Sequence, residues 1–409
     1  MSVIRPFKAI IPESSLISKI SALPYDVYSS EEARAIADKN PLSFLRIDRP
    51  EINFDRSIDT YDPRVYIKAK ELFRDAISKG DFVKDQSLCF YIYRLTMDGR
   101  SQTGLVALSS IEEYLSGKIR KHENTRKDKE DDRVRHVDTV DAQTGPIFLA
   151  YRARKSISEY IESLTDKYEP FFDFTADNVR NEGFRIDNPE DIKVIAMLFE
   201  GVDTLYIADG HHRCESAAKV YLKRQGEHRR EEEGFLSVIF PDDELKIMDY
   251  NRVIKSLKEM TEDELIEKIR ANFEVSERPL NTDKPVKKGD VYMILKDREF
   301  LLTLRKEHET KGPVESLDVE ILQRYLLEPI FGIKDPKTDK NIDFVGGIRG
   351  VSELIDRVKS GAGVAFAMHP TSMEELFKVA DAGLLMPPKS TWFEPKLRSG
   401  IFSHDLSDS

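Results

Sequence analysis

The chain has 409 residues, 40% hydrophobic and 33% charged, with a net charge of −11. That length allows two domains or one elaborated domain, the composition excludes global disorder, and the negative balance argues against a nucleic-acid partner. Cys89 and Cys214, with no CxxC spacing, exclude a disulfide framework and a thiolate zinc knuckle and fit a reducing cytoplasm. No apolar run approaches the roughly 18 residues of a membrane span. The first residues, alternating around Pro6, do not read as a secretory signal, so a soluble cytoplasmic protein is expected.

Val3 to Ile11 reads as an edge strand, because Pro6 cannot donate to ladders on both sides. Ser29 or Ser30 caps a helix with Glu31 and Glu32 in its first turn, ending near Asn40-Pro41. A second helix starts at Pro63 after Asp62 and closes at Gly80. Leu88 to Met97 and Thr103 to Leu108 form a hairpin, with Asp98-Gly99 supplying the positive-φ pair of a type I′ turn. Between Lys118 and His136 eight basic side chains face five acidic ones with almost no apolar residues. Such a segment is either a solvated arm or is held by something other than apolar packing.

Pro146 to Tyr151 reads as a buried strand, and Asn188-Pro189 opens a helix running to about Glu200. Thr204 to Ala208 is a strand that runs into Asp209-Gly210-His211-His212-Arg213 and a helix from about Cys214 to Arg224. Phe235 to Phe240 is a further strand. After a change of pattern near 255 come a helix from Glu262 with a Thr261/Glu264 capping box and a hairpin, Val291 to Lys296 with Glu299 to Arg305. A strand from Gly363 to Met368, a helix from Ser372 to Ala382 and an irregular tail follow. The fold class is mixed α/β (α+β), with several strands in local hairpins. The expected division is 1–254 and 255–409, with the C-terminal tail packing back on the first part.

Chemistry concentrates at Asp209-Gly210-His211-His212-Arg213. A glycine after a buried strand permits a sharp turn, and the first amides of the next helix are unpaired donors with partial positive charge, which suits phosphate. Arg213 can hold a phosphate oxygen bidentately, the imidazoles can donate hydrogen bonds or a proton, and Asp209 can orient one of them or hold Mg²⁺ together with substrate phosphates. The plain alternative is a helix start with Asp209 as cap. A zinc site built on His211 and Cys214 lacks ligands, since His122 and His136 lie far away in sequence. No P-loop or GxGxxG motif is present.

Two further segments stand out. His122-Glu123-Asn124-Thr125 offers Glu123 as a base beside His122, and on a helix Arg126, Lys129 and Arg133 share one face that can gather a phosphorylated ligand. Alternatively this is a surface helix laced with ion pairs. Lys389-Ser390-Thr391-Trp392-Phe393, with Lys396 and Arg398, resembles an anion cradle with Trp392 for a base or sugar, or else a tail that pins the C-terminus.

Taken in order, Arg5-Pro6-Phe7-Lys8-Ala9, Pro24-Tyr25-Asp26-Val27, Asn40-Pro41 through Asp48, His122-Glu123 with Thr125, Pro146-Ile147-Phe148-Leu149, Asp209 to Arg213, Pro241-Asp242-Asp243 with Tyr250-Asn251-Arg252, and Pro388-Lys389-Ser390-Thr391 resemble the bacterial and archaeal family called domain of unknown function 1015 over nearly the whole chain. The strand, glycine, His-His-Arg and helix portion also resembles the ParB/sulfiredoxin-like fold, which includes free serine kinases. That resemblance implies a nucleotide-binding core with additional α/β elements.

By position, the resemblance implies a phosphate site at Gly210, His211, His212 and Arg213. Arg133, Lys389, Ser390 and Thr391 are expected to add to nucleotide binding, and Tyr25, His122 and Thr125 to substrate binding. The kinases place a glutamate base early in the chain, where this sequence offers Asp26, with Glu123 as the other candidate; His211 and Asp209 complete the expected catalytic set.

The resulting expectation is a kinase that moves a phosphate from ATP or ADP, with Mg²⁺ at Asp209, to a small hydroxyl substrate such as free L-serine. The alternatives are a nucleotide-binding switch without turnover and a nucleotide or phosphoester hydrolase. No nucleic acid or membrane partner is expected, and oligomer formation stays open.

Overall fold

In the computed structural model, which describes residues 3–224, 230–280 and 287–407, the chain divides into two units. One comprises Met1–Leu245 with Pro395–Ser409, and the other Lys246–Glu394. The change of unit precedes the change of pattern near 255, because the strand at Tyr250–Ile254 pairs within the sheet of the second unit. The two cysteines are free and buried. Among the described residues no helix is long and apolar enough to cross a membrane.

The first unit opens with a short strand, β1 (Ile4–Arg5), followed by the helices α1 (Ser30–Lys39) and α2 (Pro63–Lys79). Ser29 and Glu32 form a reciprocal capping box at the start of α1, and Gly80 ends α2 with φ 82. These helices bury Ala33, Ala37, Ala69 and Phe73 with Phe44 and Phe82 in one apolar cluster. Next come β2 (Phe90–Met97) and β3 (Arg100–Ser110). They are joined by Asp98 and Gly99 at φ 53 and 75, the positive pair that a type I′ hairpin requires.

The chain continues through β4 (Ile119–Arg120), α3 (Lys127–Val140), β5 (Ile147–Tyr151), α4 (Lys155–Lys167), the hairpin β6 (Phe172–Ala176) and β7 (Val179–Ile186), and α5 (Pro189–Glu200). It then forms β8 (Leu205–Asp209), α6 (His211–Lys223) and β9 (Gly234–Pro241). Among the described residues these strands make a nine-stranded mixed sheet in the order β4-β8-β5-β9-β3-β2-β7-β6, with β1 paired to β3. Ile92, Leu105, Leu149, Ile207, Phe235 and Cys214 lie in its main core.

The C-terminal return lies on this same unit. Phe402 packs on Tyr91 and Tyr93, with ring centroids 5.3 and 5.9 Å apart. Gly400, at φ 78, sits where a Cβ would come 2.4 Å from Phe44, so only glycine lets the backbone pass.

The charged segment between Lys118 and His136 is mostly the helix α3 rather than an arm. Its buried residues are Glu130, Asp132, Arg133, His136 and Val140. It packs along α6 through ion pairs: Lys219 with Glu130, and Lys223 and Arg224 with Asp138 at 2.6 and 3.0 Å. The buried face is ionic rather than apolar, which explains why no hydrophobic periodicity marks this helix in the sequence.

The second unit contains β10 (Tyr250–Ile254), α7 (Glu262–Ile269), β11 (Phe273–Arg278), β12 (Asp290–Ile294), β13 (Glu299–Leu304), β14 (Ile342–Gly346), α8 (Gly350–Lys359), β15 (Val364–Met368) and α9 (Met373–Asp381). Its antiparallel sheet runs β11-β13-β12-β15-β10-β14. Val253, Tyr292, Val345, Leu354 and Ala365 make its core. Trp392 packs against Tyr250 at 5.1 Å and over Gly346, where a Cβ would lie 2.8 Å from its ring.

Asp318 in this unit is buried, and both its oxygens accept from the Gly289 amide at 3.1 and 3.0 Å. Burial raises its pKa from 3.8 to about 6, so folding favours the protonated form. The stability contributed by this group is therefore complete below about pH 4 and is lost as pH rises through about 6, by at most about 3 kcal/mol. The neutral variant Asp318→Asn should melt higher than wild type at about pH 7.5 and gain nothing at about pH 4. Thermal melts showing the same difference at both pH values would contradict this.

Candidate functional site

The site is built on the way β8 ends. Ile207 pairs with Leu149 and Asp209 with Phe148, so the register slips by one residue between them; a bulge of this kind bends a strand and re-aims the side chain that follows. Gly210 then adopts φ 93 and ψ 30, and a Cβ there would lie 3.1 Å from both Nε and Nη2 of Arg213. The left-handed backbone conformation favours glycine here. Because this one residue completes the turn, α6 begins at His211, earlier than the start expected near Cys214. The N-cap is Gly210 rather than Asp209, and no side chain caps this helix end.

Asp209 is engaged within the protein. Its Oδ1 accepts from the Gly210 amide at 2.8 Å and its Oδ2 from Lys396 Nζ at 2.9 Å. Burial pushes its pKa up, but the charges of Lys396 and Arg213 and these hydrogen bonds outweigh that and hold the carboxyl well below the usual range. Lys396 stands where a cation on this carboxylate would sit, so the donor set at Asp209 does not fit the expected Mg²⁺ site.

Arg213 turns inward. Its Nη1 donates to the Pro146 carbonyl, and it lines a cavity of about 30 Å³ together with Tyr25, Asp48, Arg133, His136 and Thr144, a volume suited to a single water. Arg133 is buried there, 4.2 Å over the Tyr25 ring. Its Nε donates to Asp132 at 3.0 Å, and Asp132 accepts from the Tyr66 hydroxyl at 2.9 Å. Burial disfavours the Arg133 charge, but Asp132 and Tyr25 more than compensate and raise its pKa. Burial and the neighbouring Asp26 charge raise that of Tyr25; Asp26 itself is exposed.

The single face expected for Arg126, Lys129 and Arg133 is not formed. Arg126 is the N-cap of α3, exposed and paired with Asp128 at 2.9 Å, whereas Arg133 is buried. Thr125 donates to Glu130 Oε2 at 2.8 Å.

The short strand β4 brings in the other half of the site. It pairs in parallel with β8, Ile119 opposite Leu205 and Arg120 opposite Tyr206, and this register delivers His122 to His211. Their rings meet edge to face, with centroids 4.6 Å apart, and the potential ligand atoms of His122, Glu123 and His211 all lie within 4.8 Å of one another. Cys214 is not among these three residues. Burial lowers the pKa of His122 to about 4, against the pull of the Ile207 backbone and Asp209. Burial, then His122, lowers that of His211 well below the ordinary value. Burial thus disfavours the charged form of both rings. His212 faces the other way, its Nε2 accepting the Arg126 amide at 3.0 Å and so anchoring the start of α3.

Of the remaining expected residues, Lys389, Ser390 and Thr391 belong to the second unit. Lys389 Nζ stands 5.5 Å from the Tyr250 ring centre. Ser390 Oγ donates to the Pro387 carbonyl at 2.6 Å, and the Ser390 carbonyl accepts from Thr371 Oγ1 at 2.9 Å. Lys396, expected only as part of the tail, pairs with Asp209, a contact that no local signal announces between residues so far apart.

The chain belongs to the family described as protein of unknown function (DUF1015), whose model matches residues 4–320. No curated protein matches the sequence. Among solved structures it is similar to a free serine kinase in complex with AMP, at 14% identity over 71% of this chain and 86% of that chain, with a TM-score of 0.35. It is similar to a conserved hypothetical protein from Pyrococcus furiosus, at 16% identity over 73% and 94%, with a TM-score of 0.35. A third is C-terminally truncated SbnI from Staphylococcus aureus, at 12% identity over 72% and 85%, with a TM-score of 0.37. At these scores the likenesses assign no activity.

The Asp209–Lys396 pair can be tested by a double-mutant cycle of Asp209→Asn and Lys396→Met in denaturant unfolding. The side chains are 32% and 15% exposed, so a coupling of about 1 to 2 kcal/mol is expected, between the values for surface and buried pairs. Zero coupling would show that the pair does not hold the strand end.

Proposed function

We propose that the protein binds a nucleotide by its phosphates at the start of α6 and transfers a phosphoryl group to the hydroxyl of a small substrate. Free L-serine is the acceptor suggested by the resemblance of the Asp209 to Arg213 run to the free serine kinases. The observation that carries this reading is the helix end after Gly210, which no side chain caps and beside which Lys396 adds a cation. The positive end of a helix, next to an ammonium group, suits a phosphate.

Phosphoryl transfer asks for positioning and charge neutralisation more than for covalent help. The amides of His211, His212 and Arg213 would position the phosphate oxygens, and Lys396, by neutralising Asp209, would keep a carboxylate from repelling them. Burial disfavours charge on His211. Glu123 and Asp26 are the carboxylates offered as proton acceptor for the substrate hydroxyl. Mg²⁺ would arrive on the phosphates of ATP or ADP.

Calorimetry with ADP and ATP tests the binding site. Gly210→Ala blocks the turn and Lys396→Met removes the cation, and each should weaken nucleotide affinity about tenfold or more; unchanged affinity in both would refute the site. Product analysis with L-serine tests the reaction. Phosphoserine is expected, and either Glu123→Gln or Asp26→Asn should lower its formation by roughly 10² to 10⁴ with little change in nucleotide affinity. Inorganic phosphate as the sole product would point to hydrolysis, and absence of turnover to a binding protein.

A further inference from the structure

We propose that His122, His211 and Glu123 form a binding site for a divalent first-row transition ion of the Zn²⁺ class, with one coordination position left open.

His122 and His211 form an unusual pair of buried rings. His122 and His211 are 2% and 7% exposed, and Nδ1 and Nε2 of both lack a hydrogen-bond partner of normal geometry. Buried polar atoms are nearly always satisfied, and exceptions call for an unseen water or ion. Two imidazoles side by side, both short of partners, suggest an electron-pair acceptor shared between them. Imidazole nitrogens with a free lone pair are the groups that ligate such ions.

The third donor has the right chemistry. Ligand atoms of the two histidines and of Glu123 all lie within 4.8 Å of one another. Ligands on one tetrahedral Zn²⁺ sit about 3.3 Å apart, given bond lengths of about 2.0 to 2.2 Å, so modest ring and carboxylate rotations close the set. Two imidazoles and one carboxylate form an N₂O set with room for a water or substrate oxygen. Such a set favours Zn²⁺, Co²⁺ or Fe²⁺ over the all-oxygen shells of Mg²⁺ and Ca²⁺. The backbone supports it: His122 follows a strand locked in register against β8, and His211 is the first residue of α6. With Glu123 on the ion, Asp26 is left as the proton acceptor in the proposed transfer. The metal site does not depend on that reaction, since its test uses the ion alone.

The test is titration of the full-length, chelator-treated protein with Zn²⁺ by calorimetry and with Co²⁺ by visible absorption. One ion should bind per chain, Co²⁺ should give the intense d–d bands of a four- or five-coordinate site, and Mg²⁺ should not compete. His122→Ala and His211→Ala should each weaken Zn²⁺ binding at least about a hundredfold, and Glu123→Gln, at a less buried position, at least about tenfold, while Asp26→Asn leaves it unchanged. Circular dichroism checks that each variant is folded; if the histidine variants unfold, Glu123→Gln and the wild-type Co²⁺ spectrum decide. The proposal is overturned if the wild type binds neither ion, if Co²⁺ shows only the weak bands of a hexa-aquo-like ion, or if folded variants bind Zn²⁺ as tightly as wild type. Lost nucleotide binding with intact Zn²⁺ binding would count against the proposed function alone.

Discussion

Lys396 lies 187 positions from Asp209 in sequence, yet its ammonium group stands 2.9 Å from that carboxylate. Much of the candidate site follows from this contact. Asp209 also accepts from the Gly210 amide, so one carboxylate both shapes the turn and is neutralised by the C-terminal return. Left unpaired, a negative group beside the first amides of α6 would oppose any anion drawn to them. Paired, it leaves the helix end with its positive character. The return is held in turn by Gly400 against Phe44 and by Phe402 among the sheet tyrosines, which links the last residues of the chain to the geometry of its most polar turn.

The same turn meets two different environments. On one side, Arg213 and Arg133 face a cavity about the size of a water molecule, with Tyr25 and Asp48, where each guanidinium is already committed to protein partners. On the other side, the His122–His211 pair is buried without such partners. The adjacent residues His211 and His212 thus serve opposite ends, one turned into the histidine pair and the other tied to the Arg126 amide. This division follows from the helix geometry, since consecutive residues project about 100° apart.

Local rules made much of the fold legible. The helix starts at Ser29/Glu32 and Thr261/Glu264, the Asp98-Gly99 hairpin and the Pro63 to Gly80 helix all rest on contacts within a few residues. The Asp209 to Arg213 run was legible as a strand, turn and helix for the same reason. What escaped were features set by distant pairing. The α3 helix hides its period because it buries charges against α6 rather than apolar side chains. The basic excess of the segment around His122 pointed to a place near the Asp209 to Arg213 turn, and the parallel pairing of β4 with β8 is what brings His122 to His211. Lys396, in an irregular tail, carried no mark of its partner. Sequence spacing can say which chemistry a segment offers, but sheet order decides which segments meet.

The most direct test of the account is a crystal structure of the protein with saturating ADP. The account predicts phosphate oxygens within hydrogen-bond reach of the His211, His212 and Arg213 amides, with Lys396 alongside. ADP bound in order elsewhere on the chain, with only solvent at the start of α6, would contradict it.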